Sequence, residues 1–394
     1  MTGAAAGAAR QRGGVGAADP RQSTSISESS TTAWGTDRLR ELLGDCAETV
    51  TEHERGGRFP AELFRRIMAT GLAERVIAQE PGAVREFCAN VEVIAESWLA
   101  LAESVHLQTL VARTIARHGQ PQVRAALVPA LVEGRMLGAN CVSEPAAGSD
   151  MSAIELRAEP TDNGFRLLGT KTWAGHAPLA GVFVVYARTS DAGLGGLTCF
   201  AVDAATSGVT VAPAAQKHSA AALPSADIVF DGAEVPADRV LGRVNRGARV
   251  ADDMFTQGRV GLAACAVGLA EAAVRRSTAY AKTRIQFGVP IIRHQAVGHL
   301  LADMATQLAA SRQLLYRACA EIDAGGPEAG LLAAQAKLFA TDTAMRVSTD
   351  AVQILGASAY LPGEAAERWM REAKLLQIIQ GTNQIQRNAI AARL

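Results

Sequence analysis

Four short segments carry residue types able to hold a charged or carbonyl-bearing ligand. The turn Cys141–Asp150 (CVSEPAAGSD) is rich in small residues, so backbone N–H groups and hydroxyls can come close to an anion or a carbonyl. Taken alone, it is better read as a surface turn before a strand. The segment Gly169–Pro178 (GTKTWAGHAP) sets Trp173 and His176 at a strand end, where a Trp belongs to the core more often than it stacks on a ligand. In Lys282–Gln295 (KTRIQFGVPIIRHQ), the Arg284 guanidinium suits a pyrophosphate, although an arginine between helices is usually just solvated. The fourth lies near the carboxyl end: Asp350–Gly356 (DAVQILG), Glu367–Lys374 (ERWMREAK) and Ile378–Arg387 (IIQGTNQIQR). His294 and His299 are five apart, so on a helix they point in different directions and do not converge on a metal.

The elements that must position these residues follow from periodicity. Over 36–134 apolar residues recur at helical spacing, as in Leu39, Leu42, Leu43 and Cys46, and Gly119 followed by Pro121 marks a helix end and restart. Over 135–241 the chain breaks into short runs bounded by Gly, Pro and Asp: 165–168, 182–187, 197–202, 209–211 and 228–230. The run 182–187 has the β-branched content of a buried strand. Over 242–394 the helical period returns. Pro290, the Gly325-Gly326-Pro327 break and the stretch 351–363 divide it into four helices, which suggests a bundle. Residues 1–35 are rich in Ala, Gly, Ser and Thr and read as a disordered tail. They lack the apolar stretch of a signal peptide, and a transit peptide is the alternative.

Composition narrows the function classes. About half of the 394 residues are hydrophobic, and Lys plus Arg and Asp plus Glu both count 39, so no electrostatic pull toward nucleic acid or an anionic membrane is expected. No apolar run reaches the roughly 20 residues of a membrane span. The six cysteines form no CxxC pair, which argues against a zinc site or disulfide framework and leads us to expect a cytoplasmic protein.

In this order and spacing the four segments resemble the acyl-CoA dehydrogenase family over roughly residues 36–394. The resemblance implies an α+β fold with an N-terminal helical domain, a middle β-barrel-like domain and a C-terminal four-helix bundle. It also implies FAD, a site completed by a neighbouring subunit, and a homo-oligomer, usually a homotetramer. Matched by position, Val142, Ser143 and Trp173 would line the flavin ring, with Gly148 and Ser149 near its phosphates. Arg284, Gln286, Phe287, His294 and Gln295 match the segment that reaches a partner subunit's FAD. Gln353, Gly356, Thr382 and Gln384 match adenosine- and pyrophosphate-side contacts. Arg259 matches an arginine on the first bundle helix, and His106 a position lining the acyl pocket.

The chain departs from the family where chemistry is concentrated. The base of the family's Glu-Gly-Thr motif is Gln380, and an amide is only a hydrogen-bonding group at neutral pH. The other position at which family members carry the glutamate is Gly258. The family's Trp-Ile-Thr reads Trp173-Ala174-Gly175, and the second glycine of its adenosine loop is Ala357. The Gln380 N–H remains able to polarise a thioester carbonyl. His176 is the candidate replacement base, with Asp253 behind it. The leading reading is an FAD-dependent oxidoreductase of an acyl thioester carried by CoA or a carrier protein, in keeping with a specialised biosynthetic role. A flavin monooxygenase on the same scaffold and a non-catalytic FAD-binding homologue are the alternatives, and the electron acceptor is left open.

Overall fold

A computed structural model describes residues 30–44 and 46–394. The tail expected over 1–35 lies outside them as far as residue 29. From Ser30 the chain is helical. Before the β domain run α1 (Ser30–Leu43), α2 (Ala47–Gly56), α3 (Ala61–Met68), α4 (Glu74–Ile77), α5 (Ala83–Ser97), α6 (Leu99–His118) and α7 (Pro121–Val132). Gly119 caps α6 and Pro121 opens α7, where its missing N–H costs nothing.

Eight strands follow: β1 (Leu137–Cys141), β2 (Arg157–Thr161), β3 (Gly164–Gly175), β4 (Ala180–Arg188), β5 (Leu197–Asp203), β6 (Val209–Val211), β7 (Ser225–Pro236) and β8 (Val240–Leu241). They form one sheet in the order β6-β7-β3-β2-β4-β5-β8, with β1 parallel to β4. Leu167, Ile228 and Phe230 from one half share a buried cluster with Phe183, Phe200 and Val202 from the other. The sheet therefore closes on its own apolar face, like a barrel.

The carboxyl-terminal part is α8 (Gly247–Thr283), a hairpin of β9 (Ile285–Gln286) and β10 (Val289–Pro290), α9 (Gln295–Asp323), α10 (Ala329–Leu355), α11 (Ala366–Leu376) and the closing α12 (Asn383–Ala391). The breaks fall at Pro290, at Gly325–Pro327 and after Leu355, as the sequence indicated. Among the described residues no helix is long and apolar enough to cross a membrane, and the six cysteines are free thiols.

Two apolar cores meet on α6. Leu99, Leu101 and Val105 join a cluster with Val260, Leu262 and Leu269 of α8, whereas Leu110, Val111 and Ile115 join one with Val184, Tyr186 and Met254. Between them, at the same level on both helices, lies a polar and glycine-rich seam that contains His106, Gln108, Gln257 and Gly258. Gln108 is fully occupied, its Nε2 donating to the Leu131 and Met136 carbonyls (2.7 Å each) and its Oε1 accepting from Gly138 N–H (3.0 Å).

One turn before the seam, Glu103 is buried, and burial pushes its carboxyl up to about 7 against the opposing pull of Lys217, while Glu54 pushes it further. Glu372, close by, is raised by burial to about 8. A raised carboxyl favours the protonated folded state, so this contribution is full below about pH 4.5 and is lost as pH rises through about 7. Glu103→Gln is therefore expected to leave the melting temperature unchanged at pH 4 and to raise it at pH 8. The gain corresponds to on the order of 3 kcal/mol, checked by thermal melts across that range.

Candidate active site

The seam is closed by side chains that α8 admits only because it lacks Cβ atoms there. Gly258 and Gly261 are one turn apart on one face. A Cβ at Gly261 would lie 2.0 Å from His106 Nδ1 and Cε1, and one at Gly258 would lie 2.3 Å from Gln380 Oε1. His106 and Gln380 thus occupy adjacent notches of the same helix. His106 is 1% exposed, and burial holds its imidazole down at about 4, with the nearby Gln380 amide opposing the shift. Neither ring nitrogen, nor Gln380 Oε1, has a hydrogen-bond partner of ordinary geometry.

Gln380 sits at φ 49° in a turn whose shape is enforced from below. Buried Lys337 donates to the Gly381 carbonyl (3.0 Å) and to Asn383 Oδ1 (2.8 Å). Asp342 Oδ1 accepts from Asn383 (2.7 Å) and from Gln377 (2.6 Å). Burial brings the Lys337 ammonium down to about 7, against the pull of Asp342. Thr382 caps α12, its hydroxyl accepting from Ile385 N–H (3.2 Å). Among the described residues the Gln380 N–H has no acceptor, so it is free to donate to a carbonyl.

The β domain brings a second set to the same stretch of α6. Trp173 sits in an irregularity of the β3–β7 pairing at φ 57°, which turns its indole outward, 68% exposed. Ser143 is joined to this strand through its carbonyl, which accepts from Thr172 N–H (2.8 Å). Underneath lies a buried pair that sequence reasoning missed: Lys171 Nζ bonds Glu144 Oε1 (2.7 Å) and the Val142 carbonyl (3.0 Å), and Glu144 accepts from the N–H groups of Glu155 and Leu156. A Glu and a Lys, one inside each of the two segments, were the available signal. Gly148 and Ser149 are exposed, and nothing lies within 4 Å of a Cβ built on Gly148. The change at Gly175 also has a packing reason: a Cβ there would lie 2.8 Å from Leu107 Cδ2 on α6.

Two candidates for a replacement base are corrected by the structure. His176, at φ 67°, turns inward and is fully buried, edge-on to Phe59 and Phe64, with Nδ1 3.2 Å from the Gly138 carbonyl. Burial keeps it down at about 4, and the phenyl rings wall it off from any ligand; it is a core histidine. Asp253 contacts Arg113 (3.0 Å), His118 (3.1 Å) and Arg117 (3.4 Å). Burial alone would raise its carboxyl, but these partners hold it at about 2, leaving no proton affinity at neutral pH. Arg259, mostly buried beside the seam, leaves its Nε without a partner.

The remaining candidates gather elsewhere. Arg284 caps the far end of α8, 26 residues beyond Gly258, a span of roughly 40 Å. Gln286, Phe287, His294 and Gln295 follow on the exposed hairpin and the start of α9. Phe287 is 94% exposed at φ 52°, and its ring packs edge-on to His294 (5.8 Å). Gln353 and Gly356 end α10 at this same pole, joined to α8 by Tyr280 and Ser358, whose hydroxyls are 3.4 Å apart. Thr382 and the exposed Gln384 stay with Gln380 instead. One chain therefore carries these candidates in two groups, roughly 40 Å apart along α8.

Known proteins share this fold. The sequence matches the acyl-CoA dehydrogenase N-terminal domain over residues 36–135, the middle domain over 139–233 and the C-terminal domain over 245–394. It is 34% identical over 360 residues to a cyclohexane-1-carbonyl-CoA dehydrogenase of Geobacter metallireducens, covering 90% of this chain and 94% of that protein. Its fold matches butyryl-CoA dehydrogenase from Megasphaera elsdenii with a TM-score of 0.88 at 31% identity, over 92% of this chain and 98% of that one. A structure described as PigA with FAD and proline matches with a TM-score of 0.89 at 25% identity, over 94% and 98%. Matched in all three domains and along nearly its whole described length, the chain belongs to the acyl-CoA dehydrogenase family.

Proposed function

We propose that this protein is an FAD-dependent oxidoreductase of an acyl thioester, borne by CoA or a carrier protein, that works with an amide at the family's base position. The observation that carries this reading is the convergence on one seam of Gln380, Gly258, His106 and the strand bearing Trp173. Both positions where the family places its carboxylate lie there, in contact, and neither holds one. The family is FAD-dependent, and the residues present fit that group: an outward-facing indole beside a glycine turn open to a phosphate. When bound, the flavin supplies a hydride acceptor. The Gln380 N–H, held by the Lys337 scaffold, donates to the thioester carbonyl and makes the neighbouring C–H more acidic. The Gln380 side chain orients the acyl group but takes no proton.

The experiment is an anaerobic visible titration of the FAD-loaded protein with short acyl-CoAs. We expect a shifted flavin band on binding, and slow bleaching at most. A band indifferent to every acyl-CoA tested would count against an acyl-thioester substrate and favour an oxygen-using or non-catalytic role.

The second group implies assembly. Because Arg284 lies roughly 40 Å from Gly258 along α8, it cannot serve the seam of its own chain, and we infer that it serves the seam of another copy. Phe287→Asp, which sets a charge on the hairpin tip, is expected to yield smaller species on sedimentation and to lower the flavin content of the purified protein several-fold. Unchanged size and flavin content would show that the hairpin is not shared.

A further inference from the structure

The seam also speaks to what the acyl group is, an inference that rests on the acyl-thioester reading above. His106 does not merely border the space beneath Gln380; it fills it. Its ring lies flat against the bare backbone of Gly261, so close that even a Cβ there would collide with Cγ at 2.7 Å. The cavity beside it, lined also by Phe87, Thr109, Leu110 and Val260, measures ≈ 10 Å³, at the threshold for a single water. A straight alkyl chain entering past Gln380 meets the imidazole and has nowhere to continue between α6 and α8.

That closed end is polar where a chain-binding pocket would be apolar. A neutral imidazole presents one N–H donor and one acceptor nitrogen, and Gln380 Oε1 adds a second acceptor. All three atoms are buried; within the chain they face only one another and the Gly258 backbone, and none makes a hydrogen bond of ordinary geometry. Gln108, two residues on, by contrast makes three hydrogen bonds within the chain. A hydroxyl, which donates and accepts at once, complements the His106–Gln380 pair, whereas a methyl group would leave all three atoms desolvated and unpaired.

We propose that His106 is the specificity-determining end of the acyl pocket: it limits the substrate to a short acyl thioester and selects one bearing a hydroxyl near the thioester. The test is calorimetric binding to the FAD-loaded holoenzyme, without turnover, of butyryl-CoA, 2-hydroxybutyryl-CoA, 3-hydroxybutyryl-CoA and octanoyl-CoA. At least one hydroxylated ligand should bind about tenfold more tightly than butyryl-CoA, and octanoyl-CoA more weakly than butyryl-CoA by at least as much. His106→Leu keeps the volume and removes both nitrogens, so it should erase the hydroxyl preference while still excluding octanoyl-CoA. His106→Ala opens the space against Gly261 and should admit octanoyl-CoA. Equal binding of butyryl- and octanoyl-CoA by the unaltered protein would overturn the closure, and equal binding of butyryl- and hydroxybutyryl-CoAs would overturn the polar selection. Because both comparisons use the unaltered protein, a variant that misfolds does not rescue the idea. Failure of all four ligands to bind would overturn a CoA-borne substrate and this proposal with it.

Discussion

Gln380→Glu is expected to turn the protein into a conventional desaturase, raising the rate of anaerobic flavin bleaching by butyryl-CoA by on the order of 10²–10⁴. The reasoning is geometric before it is chemical. Gln380 already holds the φ of 49° that the turn demands, fixed by the hydrogen bonds from Lys337 and Asn383 beneath it. Glutamate has the same length and branching, so it inherits the notch on Gly258 without repacking. Only the proton affinity changes, from none to that of a carboxylate in a largely dry seam. A gain confined to the variant would identify base strength as the missing ingredient. Bleaching at equal rates in both proteins would show that another group already takes the proton. No bleaching in either would remove desaturation from consideration.

Lys171→Met should have the largest effect on stability. Lys171 is fully buried and the Glu144 side chain is only 4% exposed, so removing the ammonium leaves a carboxylate buried without its counter-charge. Breaking such a pair from one side costs about 3–5 kcal/mol, read as a lowered urea midpoint. The loss should be local in its consequences as well. Lys171 also donates to the Val142 carbonyl, next to Ser143, so the glycine turn loosens and flavin is released at lower denaturant than the global midpoint. Adding Glu144→Gln removes the stranded charge while keeping an acceptor for the Glu155 or Leu156 N–H, and should recover at least half of the lost stability. If the single variant unfolds like the parent, the pair is not what pins the turn.

How much of this was legible in the sequence depended on whether the signal was local. The helix boundary at Gly119 and Pro121 was readable because proline's missing N–H and fixed φ act at one residue. The strand 182–187 was readable because every one of its residues is buried, which gives a continuous apolar run. β3 was only partly visible: Lys171 and Trp173 break its alternation, one because it is paired in the interior, the other because an irregularity turns it outward. His176 was misplaced for a related reason. Its left-handed φ sends the ring inward beneath α3, and nothing in its neighbours' identities announces that. The seam was the hardest part, since it depends on contacts among α6, α8 and the 380 turn, far apart in the chain. Even so, two glycines one turn apart in a long helix otherwise rich in alanine were a cue that something large approaches there.

The fit of His106 against Gly261 also constrains how this sequence could have arisen. With any side chain at 261, an imidazole at 106 would collide with it, and overpacking of this kind costs about 1–3 kcal/mol. With glycine already at 261, the same imidazole fits. From a sequence with a side chain at 261, the easy path to this pair would lose that side chain first and acquire the histidine afterwards. Once both were in place, neither could revert alone: regaining a side chain at 261 would strike the ring, and losing the ring would leave a hole. The pair behaves as a ratchet, and relatives carrying glycine without the histidine would mark the intermediate step.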